Sequence, residues 1–312
     1  MLYLIRKKSF ITDVCRKGTS METPSKINLF LQVTGKRPDS YHELDLLFYP
    51  LIKPADRVIV AFASNPSNCT AAGSVTLETD GPDLGDPDKN LCVRAVKQYF
   101  EHAGRQVPDC RIQLQKNIPV AAGMGGGSSD AAAVLLQLQE HYQLLDQDSM
   151  QQAALSLGAD VPYFLKPDPA RAKGVGEKLE ILQGLPESLP VLLAAPGFPV
   201  LASWAYQHLD WEKVRQDTRT CEQMIDALRR RDLTAIAGLM RNDLAHALWQ
   251  KFPVLNIIAD AMRQTGALNV QITGSGPTLF GLYPDFERCA EAEKILQQQL
   301  DPSVRLIRPF DS

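Results

Sequence analysis

The 312-residue sequence contains no run of about 18 apolar residues, the length a helix needs to cross a bilayer. Cysteine is sparse and scattered: six residues, at 15, 69, 92, 110, 221 and 289, with no C-x-x-C or other metal-ligand spacing among them. That pattern excludes a disulfide framework or a zinc site and predicts reduced, mostly buried thiols in a cytosolic protein. A basic excess is missing too. The formal net charge is −3, which argues against general nucleic-acid or anionic-membrane binding, since both need a basic surface. Repeats and low-complexity segments are absent.

The charge is unevenly spread. Arg6, Lys7, Lys8, Arg16 and Lys17 against Asp13 give residues 1–20 a net +4, which leaves −7 on the remaining 292. The head is basic and acid-poor, and its apolar stretch is too short for a secretory signal. Two readings stay open: a transit peptide that sends the chain to a plastid, or residues ahead of a true start at Met21. A chain of this length suggests about two domains at roughly 150 residues each. It can bury about three quarters of its extended-chain surface without disulfides or metal.

From Ser25 the text reads SKINLFLQV, with Ile27, Leu29, Leu31 and Val33 alternating against Lys26, Asn28, Phe30 and Gln32. Period two predicts a strand with one apolar face. Lys26 and Asn28 then project from the same side, about 7 Å apart along the strand. A turn with Gly35 and Pro38-Asp39-Ser40 leads to Tyr41-His42 and an apolar run over 44–49. Further strands are predicted at 57–63, 75–79 and 111–115, with a helix over 90–102 whose inner side carries Leu91, Ala95, Val96, Tyr99 and Phe100. A helix from about Ser149 ends at Gly158. Pro162 is expected to push Val161 out of the helical region and leave Asp160 in a fixed loop. The segment 166–190 is rich in Pro and Gly and poorly periodic, so the domain boundary is placed there. Beyond it come a strand at 191–195, helices to about Gln264, strands at 269–273 and 278–283, a helix over 286–300 and a strand at 304–309. Mixed strands and helices in two lobes read as α+β.

The most informative block is Asn117-Ile118-Pro119 followed by AAGMGGGSSDAAAVLLQ. Gly123, Gly125, Gly126 and Gly127 lead into Ser128-Ser129-Asp130, good N-cap residues, and then into an alanine/leucine helix. A glycine-dense loop opening on a helix exposes backbone N–H groups that suit a phosphate. No lysine follows the glycines, which excludes a Walker A loop, and the sixth position from Gly123 is Ser128, which breaks the dinucleotide fingerprint. Tight helix–strand packing is the alternative use of such glycines. The paired serines favour phosphate.

The segment PVAAGMGGGSSDAA resembles the nucleotide loop of the GHMP kinase superfamily. Three more segments, PSKINLFLQVTGKRPDSYHEL (24–44), GADVPYF (158–164) and ITGSGPTLF (272–280), narrow the resemblance to its 4-diphosphocytidyl-2-C-methyl-D-erythritol kinase family, over nearly all of residues 21–309. The resemblance implies a two-domain GHMP kinase fold: an N-terminal ribosomal-S5-domain-2-like lobe over 21–183, a C-terminal ferredoxin-like α/β lobe over 184–312, and an active site in the cleft between them. Residues 1–20 are then an extension, expected to be disordered, that forms no part of the enzyme.

The implied reaction moves the γ-phosphoryl of ATP onto the 2-hydroxyl of the methylerythritol unit, a step of the non-mevalonate isoprenoid pathway. By resemblance Asp160 is the catalytic aspartate and general base and also touches the substrate, and Lys26 is the catalytic lysine that offsets charge on the transferred group. Asn90, Lys116, Pro119, Gly123, Gly125, Gly126, Gly127, Ser128 and Ser129 surround ATP. Asn28, Tyr41 and His42 meet the cytidylyl substrate, with Tyr206, or alternatively Trp204, closing the pocket as a second aromatic ring. Gly274-Ser275-Gly276 matches a third superfamily motif that closes over the site; a plain hairpin turn is the other reading. No resident metal is implied, and Mg²⁺ arrives with ATP. The partners are small molecules, with no nucleic acid and no membrane, for a cytoplasmic monomer or weak homodimer. Trp211, Trp249 and the histidines at 102, 141, 208 and 246 read as surface or packing residues. Where relatives carry further glycines, this chain has Ala121-Ala122, tolerable unless those positions need positive φ. A non-catalytic nucleotide-binding relative would have lost Lys26 or Asp160, and both are present.

Overall fold

The computed structural model describes residues 15–16, 20–63 and 73–311. In chain order the first half contains β1 (Cys15–Arg16), β2 (Ser20–Lys36), β3 (His42–Ala63), β4 (Val75–Asp80), α1 (Leu91–His102), β5 (Cys110–Gln115), α2 (Gly126–Tyr142), α3 (Gln147–Leu157) and α4 (Val161–Phe164). It continues with β6 (Ala170–Gly174), β7 (Lys178–Ile181), β8 (Val191–Ala195), α5 (Ala202–Gln207), α6 (Trp211–Gln216), α7 (Cys221–Arg229), α8 (Leu233–Leu239) and β9 (Arg241–Asn242). The last stretch is α9 (Ala245–Lys251), α10 (Pro253–Gln264), β10 (Asn269–Ile272), β11 (Leu279–Leu282), α11 (Phe286–Gln299) and β12 (Arg305–Ile307). The α+β class read from the sequence is what the chain adopts.

Two compact units interleave along the chain. The first takes the described residues up to Thr23, those of Asp56–Asn117, and Gly127–Leu165; the second takes Pro24–Ala55, Ile118–Gly126 and the described residues from Lys166 on.

In the first unit β5 pairs antiparallel with the end of β3 (Arg57 opposite Gln115) and parallel with β4 (Val75 opposite Cys110). Alternation sends Val58, Val60 and Phe62 of β3 and Ile112 and Leu114 of β5 into the core, which Val96, Tyr99 and Phe100 of α1 and Val134, Leu135 and Leu138 of α2 complete. Gln137 of α2 is a buried polar residue with a defined task. Its amide accepts from Val60 N–H (3.0 Å) and donates to Val58 C=O (3.2 Å), so β3 backbone groups are satisfied inside the core. The helix starts at Asn90, whose Oδ1 caps Cys92 N–H at 2.9 Å; Leu91, expected inside, is only half-buried.

The second unit holds two sets of strands. Residues of β3 pair antiparallel with β6 (Leu44 opposite Gly174), β6 pairs with β7, and β2 pairs parallel with β9 (Phe30 opposite Arg241). A separate antiparallel sheet runs β10-β11-β8-β12. All five residues of β8, VLLAA, are buried, as a continuous apolar run requires when both faces are covered. Ile27, Leu29 and Phe30 share one core with Leu193, Met224, Leu228, Phe280 and Leu282.

Several local expectations are corrected. α2 begins at Gly126, so Ser128, Ser129 and Asp130 lie within its first turns rather than at its cap, because positive-φ glycines at 123 and 125 turn the chain earlier. Val161 is helical: it opens α4, where a proline in the first turn costs no hydrogen bond. The stretch 166–190, expected to be irregular, contains the β6–β7 hairpin. Cys92, Cys110, Cys221 and Cys289 are buried free thiols, as expected, while Cys69 falls outside the described residues. So does the extension over 1–20, apart from Cys15, Arg16 and Ser20. Among the described residues no helix is long and apolar enough to cross a membrane.

Candidate functional site

In the second unit the functional side chains grow out of β2. The polar face of the strand is buried as well: Lys26 is 3% exposed and Asn28 1%. Period two does aim them to one side, and Lys26 Nζ donates to Asn28 Oδ1 at 2.5 Å. The ammonium also sits 4.9 Å from the centroid of the Phe48 ring, a cation–π contact from β3. A buried lysine costs free energy unless it is held this way.

The same strand grips the glycine loop. Lys26 N–H donates to Met124 C=O (3.1 Å), and Asn28 N–H donates to Thr273 Oγ1 (3.0 Å), whose hydroxyl in turn donates to Gly123 C=O (3.3 Å). Gly123 has φ +78°, and a Cβ there would lie 2.1 Å from Thr273 O. Gly274 answers it: a Cβ there would lie 2.7 Å from Gly123 O. Two glycines therefore let two backbones touch, the reason this loop and the 273–277 turn are both glycine-rich. The turn is also a hairpin: Thr273 N–H donates to Thr278 C=O between antiparallel β10 and β11. Asn242 of β9 steadies it through Nδ2, which donates to Ile272 C=O (2.7 Å) and Gly274 C=O (2.8 Å). Ala121 does take positive φ, +50°, so an L-residue occupies a left-handed position at the mouth of the loop. Pro119 is half-buried just ahead of it.

The aromatic cluster belongs to this unit as well. His42 stacks on Tyr206 (centroids 5.1 Å, planes 20° apart) and lies 5.9 Å from Trp211. Trp204, the alternative ring, instead stacks on His208 at 4.4 Å and leans on Phe252. Tyr206 is the one beside His42. Trp211, read from the sequence as packing, joins the cluster; Asp210 caps its helix and fixes it there. Burial, then the charge of Lys36, lowers the His42 pKa, so its ring is neutral at pH 7, with one nitrogen donating and the other accepting. Tyr41 stands 64% exposed on the 37–41 turn, its N–H bonded to Asp39 Oδ1.

In the first unit the chain enters α2, with Ser128 and Ser129 in its first turn. Lys116, expected at the nucleotide, is 5% exposed and its ammonium is held by Asp56 and, at 2.8 Å, by Asp130. Asp56 also accepts from Asn117 N–H, and Asp130 from Thr23 Oγ1 (3.0 Å). Two carboxylates share one buried cation. Burial first, and then the like charge of Asp56, push the Asp130 carboxyl up to about 7 against the pull of Lys116. Asn90, also expected at the nucleotide, spends its Oδ1 on the α1 cap. Asp160 is half-buried at the N-cap of α4 and makes no side-chain capping bond there. Among the described residues no cluster of three His, Cys, Asp or Glu is disposed for a metal. Sequence reasoning missed Thr273 and Asn242. Thr273 had a signal, its place directly before Gly274-Ser275-Gly276; Asn242 had none.

The GHMP kinases N terminal domain pattern matches residues 90–166, and the GHMP kinases C terminal pattern matches 224–301. The 4-diphosphocytidyl-2-C-methyl-D-erythritol kinase of Syntrophotalea carbinolica is 35% identical over 288 residues, 90% of this chain and 95% of that one. The crystal structure of a 4-(cytidine 5'-diphospho)-2C-methyl-D-erythritol kinase superposes with a TM-score of 0.74 at 36% identity, covering 93% of this chain and 97% of that one. The homoserine kinase of Cytophaga hutchinsonii shares the fold at TM-score 0.70 and 17% identity, over 97% and 95%.

Proposed function

The chain belongs to the 4-diphosphocytidyl-2-C-methyl-D-erythritol kinases of the GHMP superfamily, and we propose that it transfers the γ-phosphoryl group of ATP to the 2-hydroxyl of that cytidylyl alcohol. The P–O bond to the acceptor oxygen forms, the bond to the β–γ bridging oxygen breaks, ADP leaves, and the hydroxyl proton passes to Asp160. Such a transfer asks for positioning and charge neutralisation more than for covalent chemistry.

The N–H groups of the loop at Gly123, Gly125, Gly126 and Gly127 and of the first turn of α2 suit phosphate oxygens, with the Ser128 and Ser129 hydroxyls beside them. Mg²⁺, bound with ATP, would neutralise phosphate charge; serine hydroxyls, phosphates and water fit its demand for oxygen ligands and leave no need for a protein carboxylate cage. Lys26, held by Asn28, offsets the charge that builds on the transferred group. Tyr206 offers a ring face to the cytosine, and neutral His42 offers one donor and one acceptor to its edge, with Tyr41 beside them. Asn90, Lys116 and Pro119 belong to the nucleotide side of the site, although the Lys116 ammonium is occupied by Asp56 and Asp130.

The observation that carries this reading is the grip of the Lys26–Asn28 strand on the glycine loop, which fixes a cation and a phosphate cradle in one register. The test is ADP formation from ATP with 4-diphosphocytidyl-2-C-methyl-D-erythritol, set against mevalonate, homoserine and galactose. Turnover on the first alone is expected; faster turnover on any other sinks the assignment. Asp160→Asn is expected to keep ATP binding and lower kcat by at least about 10²-fold, the scale of a positioned base. Near-wild-type turnover would remove Asp160 from that role.

A further inference from the structure

We infer that Thr273 is a positioning residue for the transfer: its hydroxyl locks the strand bearing Lys26 and Asn28 to the glycine loop. The inference rests on the kinase reading above. Its geometry lies within the second unit.

β2 meets the loop at two successive rungs on one face. At Lys26 the tie is direct, N–H to Met124 C=O at 3.1 Å. At Asn28 the strand and loop are bridged by one atom. Thr273 Oγ1 accepts from Asn28 N–H at 3.0 Å and donates onward to Gly123 C=O at 3.3 Å. A hydroxyl has one proton to give and lone pairs to receive, so the bridge has a single sense: strand to threonine to loop. The remaining polar groups of Thr273 are fixed as well. Its N–H donates to Thr278 C=O and its C=O accepts from Gly276 N–H at 2.9 Å, so the side chain hangs from a rigid hairpin. Thr273 is fully buried.

The two residues of β2 joined by the Nζ–Oδ1 bond are thus the two whose backbones are tied to the loop. Loss of the bridge leaves the buried Asn28 N–H and the half-buried Gly123 C=O without this partner. Of these two rungs the one at Lys26 then remains. A drift of an ångström in reacting groups is enough to cost about 10²-fold in rate. Glycine on both sides leaves no side chain to limit such drift, since neither Gly123 nor Gly274 has a Cβ to collide with the other backbone.

The experiment compares Thr273→Val, which replaces the hydroxyl with a methyl of similar size, with Thr273→Ser, which keeps the hydroxyl. Each is measured for kcat, for KM of ATP and of the cytidylyl alcohol, and for hydrogen exchange at the Asn28 amide. The expected result is a kcat lowered about 10- to 100-fold in the valine variant with both KM values within about threefold, and Asn28 exchange faster by at least about tenfold. The serine variant is expected to recover at least half of the wild-type kcat. A valine variant with unchanged kcat overturns the inference, and so does a serine variant as slow as the valine one. Where the valine variant does not fold, Thr273→Ala removes the same hydroxyl and is read identically. If neither folds, the hydroxyl is a folding element and the inference is overturned. Wild-type inactivity on the cytidylyl alcohol would instead refute the kinase reading, while the Asn28 exchange would still report on the bridge.

Discussion

Asp130→Asn isolates the electrostatics of the buried Lys116–Asp56–Asp130 cluster of the first unit. In the folded chain Asp130 shares the Lys116 ammonium with Asp56, so two carboxylates face one cation out of reach of water. Burial, with the charge of Asp56, raises the Asp130 carboxyl to about 7, against about 4 for an unfolded aspartate. Between those pH values the folded chain binds more protons than the unfolded one, so stability falls as pH rises. The contribution is fully present below about pH 4 and lost as pH passes about 7. Linkage puts the loss between pH 5 and pH 8 at about 2–3 kcal/mol. Asparagine keeps the shape and removes the proton equilibrium. Urea unfolding of both proteins at pH 5 and pH 8, at constant ionic strength, measures the difference, in which titrating groups outside the Lys116–Asp56–Asp130 cluster cancel. Wild type is expected to lose about 2–3 kcal/mol more than the variant on going from pH 5 to pH 8. Equal pH dependence would refute a carboxyl raised by burial, and a steeper dependence in the variant would reverse the sign of the argument.

Gly123→Ala forces a Cβ to 2.1 Å from Thr273 O at φ +78°; with overpacking and left-handed strain added, denaturation should show a loss of about 3 kcal/mol or more. Ala121 is exposed, and its φ of +50° suits glycine, so Ala121→Gly is expected to raise the unfolding free energy by about 0.5–1 kcal/mol; destabilisation would mean the left-handed strain is small. Tyr206→Ala removes the ring beside His42 and should raise KM for the cytidylyl alcohol about tenfold or more while leaving KM for ATP unchanged. A parallel rise in both would make Tyr206 a scaffold residue.

Regular elements with a strong period were legible. The alternation over 25–33 located β2 and put Lys26 and Asn28 on one side, and the 3.6-residue pattern located α1 within a residue at its start. Alternation alone did not reveal that the polar face of β2 is buried as deeply as the apolar one, because burial depends on what other segments bring to it. β9 is two residues long and carries no period at all; Arg241 and Asn242 are defined by partners 22 to 32 residues away, at Arg219, Ile272 and Gly274. The β6–β7 hairpin hid among prolines and glycines that read as irregular. At the site, the glycine loop and the Lys26–Asn28 pair were visible as motifs. Lys116 was visible too, but its ion pairs with Asp56 and Asp130 join residues 60 and 14 positions apart, and no local pattern records them. Trp211 and Thr273 belong with Lys116: their residue types say little, and their neighbours in space say what they do.

The central claim is a phosphoryl transfer to one alcohol, and ³¹P NMR of the reaction mixture tests it most directly. With ATP, Mg²⁺ and 4-diphosphocytidyl-2-C-methyl-D-erythritol, the account predicts one new phosphomonoester signal growing in step with ADP, with the cytidine diphosphate signals retained. Growth of inorganic phosphate in place of the phosphomonoester, or ADP formation that does not depend on the alcohol, would contradict it.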